Sequence, residues 1–345
     1  MIGEPKEFLS CDWGTTSFRL RRVNFASGAI LEESRQGSGV KALFLGCPTG
    51  NAVARESAFA EFVRNRLRSL AGLGEPGGLA VQVVISGMAS SSVGWRELPY
   101  ASVPCPLDGS GVAREVIDLD LGDGRWARIH LISGLATADE IMRGEETELL
   151  GLFAEGRYAE IAANGIVVLP GTHAKHVRVR DREVEGFHTY MTGELFDVLA
   201  THSLLRASVE GEAKVSGEEA LGEPQARSAF LTGVGRARDP GLARSLFQVR
   251  TRVVLHGVSP AVNRWFLSGL LIGAEVTDLA TRDGKHPILL AATEPVSAGY
   301  RLAFEALGLS ERLVVAPPEE VALASAQAHR LLLRRWLAAE TAAVA

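Results

Sequence analysis

Three cysteines among 345 residues, Cys11, Cys47 and Cys105, are too few and too scattered for a disulfide framework, and none belongs to a Cys-x-x-Cys pair of the kind zinc clusters use. They read as buried small hydrophobes. Long apolar runs are missing too: the longest, such as Gly165 to Pro170 and Pro287 to Ala292, fall far short of the ~20 residues that span a bilayer. Met1 to Glu7 is polar and lacks a signal-peptide core, so a cytoplasmic location is expected. Nor is there an excess of positive charge. Lysine and arginine total 36 against 41 acids, a formal charge of −5, which gives no global field for a phosphate backbone or an anionic membrane. Nucleic acid and membrane are therefore not expected partners.

What is present is ordinary globular composition, with 46% hydrophobic residues and length enough for about two domains. The apolar run Phe8 to Asp12, a turn at Trp13-Gly14-Thr15-Thr16, the alternation from Phe18 to Val23 and a strand at Ala29 to Glu33 predict an antiparallel meander. Helical spacing follows over Ala52 to Leu70, with Val53, Phe59, Phe62, Val63, Leu67 and Leu70 inward and Arg64, Arg66 and Arg68 solvated. A buried strand is predicted at Val81 to Ile85, and a hairpin from Arg114 to Ile132 turns at Gly122-Asp123-Gly124. Thr137 to Phe153 reads as a helix, with Ile141, Leu149, Leu150 and Leu152 inward and Arg143 to Glu148 as its polar block.

A second half begins near residue 160, giving expected domains at 1–160 and 161–345. It opens with a strand at Gly165 to Leu169, a turn at Pro170 to His173, and a strand in which Val177 and Val179 alternate with Arg178 and Arg180. Helices are predicted at Thr192 to Arg206, Glu218 to Ala237, Pro260 to Thr281 and Ala298 to Leu307, with a long one from Glu319; strands are predicted at Ile288 to Ala291 and Leu313 to Ala316. The expected fold class is α/β with mixed sheets.

The halves echo each other. Asp12-Trp-Gly-Thr-Thr and Pro170-Gly-Thr-His each follow an apolar strand and precede one with alternating basic residues. Gly14 and Gly171 let backbone approach an anion, Thr15, Thr16 and Thr172 add hydroxyls, and turn N–H groups form a nest for phosphate oxygens. Asp12 at a strand end suits Mg²⁺ held through water. Two unrelated hairpins are the plainer alternative.

Asp-x-Gly-Thr-Thr followed by a strand resembles the first phosphate loop of the sugar kinase, Hsp70 and actin superfamily. More narrowly, the chain resembles the 2-dehydro-3-deoxygalactonokinase family in the blocks Cys11 to Arg19, Ser86-Gly87-Met88, Gly94 to Tyr100, Arg143 to Thr147, Leu169 to His176, Met191 to Phe196 and Phe266 to Gly273. That resemblance implies two duplicated ribonuclease H-like domains, of actin and hexokinase type, with an interdomain cleft. It implies ATP and Mg²⁺ as cofactors and a sugar acid phosphorylated at its terminal hydroxyl. Pro170 stands where the wider superfamily often has an aspartate, so Lys175 or His173 is the expected source of charge there.

Phosphoryl transfer needs positioning, charge neutralisation and one carboxylate to accept a proton. Glu145 and Glu146 are candidates, since a similar Gly-Glu-Glu run carries a catalytic acid in exopolyphosphatase-like relatives. Asp139 is a further candidate; the bland alternative is a solvated helix surface with Asp139 paired to Arg143. For a substrate carboxylate Arg96 is the first expectation and Arg19 the second, with Trp95 and Tyr100 as walls and Ser86, Gly87 and Met88 facing the ligand. Thr192 reads as an N-cap whose helix end also suits substrate or phosphate oxygens. Ser268 and Gly269, with Ala291 to Thr293, are candidates for the adenosine pocket. His173 and His176 are not expected to share a metal, and His188 and His202 read as structural. The alternatives that stay open are another phosphotransferase, a phosphohydrolase of exopolyphosphatase type, and a sensor without catalysis. Either epimer of the sugar acid and a homodimer are compatible with these residues.

Overall fold

A computed structural model describes residues 4–48, 50–210 and 217–344. They form two compact units, Met1–Tyr158 with Leu323–Ala345, and Ala159–Ala322.

In the first unit the Phe8, Leu9, Cys11 and Trp13 side chains of β1 (Glu7–Trp13) are all buried, as a strand covered on both faces requires. β1 is flanked on one side by the antiparallel meander β2 (Phe18–Asn24) and β3 (Ile30–Gln36). After α1 (Val40–Gly46) and α2 (Ala52–Arg68) the chain returns as β4 (Val81–Gly87), parallel to β1 on its other side. Beyond the short β5 (Ala101–Ser102) and β6 (Cys105–Pro106), the hairpin of β7 (Arg114–Gly122) and β8 (Arg125–Ile132) completes the sheet in the order β3-β2-β1-β4-β8-β7. Asp123 and Gly124 both take positive φ in its turn, as a tight hairpin demands.

Asn51 caps α2 by accepting from the Ala54 N–H, and Phe59, Val63 and Leu67 pack on the sheet. Val53, expected inward, is 77% exposed because it sits in the first turn before that stripe begins. Arg68 is not merely solvated: its Nε donates to the Leu121 carbonyl at the end of β7.

The predicted helix from Thr137 does not form. Residues 135–142 make the paired strands β9 (Leu135–Ala136) and β10 (Ile141–Met142), Ile141 is exposed, and α3 (Glu145–Phe153) begins only after Gly144. Gly144 has φ +114°, which no helix tolerates and few other residues adopt. Periodicity read through that glycine joined two elements into one.

The second unit has a mixed sheet of its own. After α4 (Ala159–Asn164), the strands β11 (Gly165–Leu169), β12 (Ala174–Arg180) and β13 (Glu183–Tyr190) form an antiparallel meander. There follow α5 (Thr192–Thr201), α6 (Gly217–Gly222), α7 (Pro224–Arg236), α8 (Leu242–Ser245), α9 (Gln248–His256) and α10 (Pro260–Arg282). Then β14 (Ile288–Leu290) adds parallel to β11, α11 (Val296–Ala306) intervenes, and β15 (Leu313–Val315) adds parallel to β14. The order β13-β12-β11-β14-β15 matches β3-β2-β1-β4-β8 strand for strand in direction.

The helix expected over Thr192 to Arg206 stops at Thr201, and the one over Glu218 to Ala237 is broken before Pro224. The last helix, α12 (Pro318–Val344), packs with the first unit from Leu323 onward, so a boundary at residue 160 does not carry through to the end of the chain. His329 of α12 shares a 2.8 Å hydrogen bond with Ser10 of β1, and burial lowers its pKa to about 3, keeping the ring neutral.

Where α7 crosses α10, glycines remove the side chains that would hold the helices apart. A Cβ at Gly269 would stand 2.1 Å from the Phe230 carbonyl oxygen, and one at Gly233 would stand 2.3 Å from that of Phe266. Gly269, a candidate for nucleotide binding, is thus a packing residue. Gly269→Ala should destabilise the protein by about 1–3 kcal/mol in urea unfolding. Gly235→Ala, on the exposed side of α7 with nothing near its Cβ, should stabilise it by about 0.5–1 kcal/mol.

Candidate active site

The turn after β1 is held from several sides. Trp13 stacks on Phe62 at 5.2 Å between ring centroids and meets Phe18 edge-on at 5.0 Å, anchoring both ends of the turn in the core. Gly14 donates to the Ser17 carbonyl, and the first N–H groups of α1 reach back, Val40 to the Gly14 carbonyl and Lys41 to that of Thr15. Gly39 permits this approach, since a Cβ there would lie 2.3 Å from the Thr15 oxygen. Thr15, Thr16 and Ser17 are left exposed.

Asp12 lies opposite Arg19 on β2 and Ser86 on β4. The chain leaves β4 through Gly87, at φ +88°, where a Cβ would meet the Trp13 carbonyl oxygen at 2.7 Å. Gly87 in turn faces Gly144, whose own Cβ would stand 3.5 Å from the Gly87 Cα. These two glycines bring the start of α3 to the ends of β1 and β4. Carboxyl groups gather there as a result.

Glu145 accepts from the Arg143 N–H at 3.0 Å, and Glu146 from the Gly144 N–H at 2.7 Å and the Thr147 hydroxyl at 3.0 Å. Both fold back onto the backbone just before their own helix, where its positive end favours a carboxylate. Asp12 and Glu148 accept no hydrogen bond from the described residues. Burial raises the Asp12 pKa; Arg19 and Arg21 oppose the shift, and Glu145 adds to it. Burial also pushes Glu146 and Glu148 up to about 8, Glu146 with repulsion from Glu145, and Glu148 with repulsion from Asp12, Glu145 and Glu146. Such groups exchange protons near neutral pH.

Glu148 was hidden inside what reads as an outward polar block. Its signal was the spacing Glu145 to Glu148, one turn apart on α3 once the helix is started at Gly144. Asp139 lies outside the group: it is exposed in the turn between β9 and β10, so its helical pairing with Arg143 does not exist.

The residues expected to hold a substrate carboxylate divide. Arg96 donates to Glu56 at 2.9 Å and also to Glu115, so its fork is filled by protein carboxylates. Trp95 is buried in the core and walls nothing. Tyr100 is half-buried, with the Arg143 guanidinium 4.1 Å above its ring. Ser86 is buried beside Asp12, Met88 is half-buried, and Arg19 faces the acids.

In the second unit, Gly171, Thr172 and His173 form an exposed turn between β11 and β12, while Lys175 is buried on β12. Gly193 at the start of α5 packs directly on this turn; a Cβ there would lie 2.4 Å from the Gly171 oxygen. The Glu194 N–H donates to the Thr172 carbonyl, and its carboxylate meets His173 Nε2 at 2.5 Å. Thr192 is not the N-cap: Met191 is, and the Thr192 hydroxyl donates to Glu275. Glu275, buried on α10, also pairs with His176 at 2.7 Å and accepts from Tyr300 at 2.8 Å. Beside this knot opens a cavity of about 710 Å³, lined by the turn, the start of α5, Trp265, Ser268, Pro295, Val296, Gly299 and Tyr300. Of the adenosine candidates Ser268 lines it, whereas Ala291 and Ala292 are buried.

The model of the 2-keto-3-deoxy-galactonokinase family matches residues 12–326. The chain belongs to that family. It is 35% identical over 316 residues to DgoK1 of Rhizobium meliloti (strain 1021), named as a probable 2-dehydro-3-deoxygalactonokinase, covering 89% of this chain and 92% of that one. It is 32% identical over 311 residues to the 2-dehydro-3-deoxygalactonokinase of Escherichia coli (strain K12), covering 87% and 90%. A crystal structure from Sinorhizobium meliloti, provisionally named for the same activity, superposes with a TM-score of 0.76 at 32% identity, covering 94% of this chain and 99% of that one. Family membership thus spans both glycine-threonine turns and the acids of α3.

The raised acids make stability depend on pH. Glu148 binds its proton more tightly folded than unfolded, so its contribution is complete below its ordinary value of 4.5 and is lost as pH rises to about 8. Without ligands, the melting temperature should fall between those limits, and Glu148→Gln should flatten the fall in a calorimetric series; an unchanged slope would remove Glu148 as its source.

Proposed function

We propose that the protein is an ATP-dependent kinase that phosphorylates the 6-hydroxyl of 2-dehydro-3-deoxy-D-galactonate, giving the 6-phospho sugar acid and ADP. Membership of the 2-keto-3-deoxy-galactonokinase family over residues 12–326 carries this reading. The site chemistry agrees with it. In the transfer, the sugar oxygen bonds to the γ-phosphorus, the bond to the ADP oxygen breaks, and the hydroxyl proton passes to a carboxylate. Glu148 is the reading's proton acceptor, because its oxygens are not already engaged by N–H groups as those of Glu146 are.

A cavity of about 710 Å³ is within the ordinary range for small-molecule sites, and its glycine-threonine turn suits phosphate oxygens, so ATP fits the second unit. Among the described residues no three His, Cys, Asp or Glu side chains are grouped to cage a metal. Magnesium needs no such cage, since one or two carboxylates with substrate phosphates and water satisfy it. Asp12 fits: it is a carboxylate whose charge is disfavoured by burial and which accepts no hydrogen bond from the described residues. When bound, Mg²⁺ would neutralise phosphate charge. We also read the units as two copies of one ribonuclease H-like plan, supported by their shared strand order.

No described helix is long and apolar enough to cross a membrane. ADP release should require the galactonate-derived acid and exceed that with its gluconate epimer or with plain hexoses. Release without any sugar would favour a phosphohydrolase, and no release would favour a sensor. Asp12→Asn should abolish turnover with an unchanged circular dichroism spectrum, and Glu148→Gln should lower kcat by about 10²–10⁴ with little change in KM.

A further inference from the structure

We propose that Arg143 is the receptor for the carboxylate of the sugar acid, an assignment that rests on the kinase reading above. An anionic substrate calls for a cation whose charge the protein has not already cancelled. Most arginines of the first unit fail that condition. Arg21 pairs with Glu33, Arg22 with Glu7, Arg96 with Glu56 and Glu115, Arg114 with Glu340, and Arg128 with Asp118. Arg19 faces Asp12 across the β1–β2 ladder, so its charge is drawn into the acid group.

Arg143 is half-buried and pairs with no carboxylate through its side chain among the described residues. Of the five N–H bonds of a guanidinium, two have partners: one from Nη1 to the Ser90 hydroxyl at 2.6 Å and one from Nη2 to the Leu98 carbonyl at 3.2 Å. Nε is buried without a partner. Leaving a buried donor of a charged group unsatisfied is costly, and the cost is offset when an anion supplies the missing acceptor. Arg55 also has an unpartnered Nε, but it lies on α2 and holds the exposed carbonyl of Ser92. Arg143 immediately precedes Gly144 and the acids of α3.

Its guanidinium is also fixed before any ligand arrives. The face stacks on Tyr100, and that ring is itself confined, since a Cβ at Gly134 would stand 2.9 Å from it. Ser90 is oriented because its hydroxyl donates to the Ile132 carbonyl at 2.5 Å, which turns a lone pair toward Arg143. A flat, fixed fork held by neutral groups reads a flat carboxylate, and a lysine ammonium at the same place would not.

The test compares wild type, Arg143→Gln, Arg143→Lys and Arg96→Gln on the sugar acid and on its neutral C1 primary amide, with KM for ATP measured in each. Arg143→Gln should lose about 100-fold in kcat/KM for the acid, with amide turnover and KM for ATP within about threefold of wild type. The ratio of acid to amide should therefore collapse, a change that a folding defect, which lowers both alike, does not produce. Arg143→Lys should keep only part of that ratio. Arg96→Gln should lower the melting temperature and leave the ratio intact. An acid-to-amide ratio preserved in Arg143→Gln, with wild type active on the acid, overturns the receptor and spares the kinase. Wild type inactive on the acid overturns both.

Discussion

Negative charge crowded into a poorly solvated corner is the constraint around which the first unit is arranged. Glu148 feels the charges of Asp12, Glu145 and Glu146 where β1, β4 and α3 end or begin, and burial together with repulsion raises the proton affinity of Asp12, Glu146 and Glu148. The close approach of Gly87 and Gly144 brings the start of α3 to β4, and the Arg143 and Gly144 N–H groups each donate to one of its first two glutamates. Buried acids with raised proton affinity cost stability, a trade common at functional sites.

The second unit uses the same strand order for a different electrostatic purpose. Its buried carboxylate, Glu275, is met by His176, Thr192 and Tyr300. Burial and the neighbouring Glu275 charge hold the Tyr300 hydroxyl far above its ordinary pKa, so it remains a donor. A carboxylate so engaged has little left to offer a substrate. It ties β12, α5 and α11 to α10 beside the cavity.

Legibility in the sequence followed how local the cause was. The strand-turn-strand at Asp12 to Arg22, the hairpin at Gly122 to Gly124 and the long helix from Pro260 depend on neighbours a few residues away, and all three form. The region from Thr137 to Glu148 was misread because apolar spacing passes smoothly through Gly144, while its backbone does not. Glu148 was lost with it. Arg96 reads as the first candidate for the substrate carboxylate because sequence shows which residues carry charge, but not which charges are already paired.

From the residues alone came the α/β class, the paired glycine-threonine turns, the resemblance that named the family, and the choice of Asp12 and the Gly-Glu-Glu run as candidates. These rest on short-range rules of period, turn and motif, which a linear chain carries openly. Tertiary structure alone decided that Gly269 packs helices, that Trp95 belongs to the core, that Glu148 joins Asp12, and that Arg96 is paired while Arg143 is not. Each of those depends on desolvation and on partners distant in the chain, and both are properties of the folded neighbourhood.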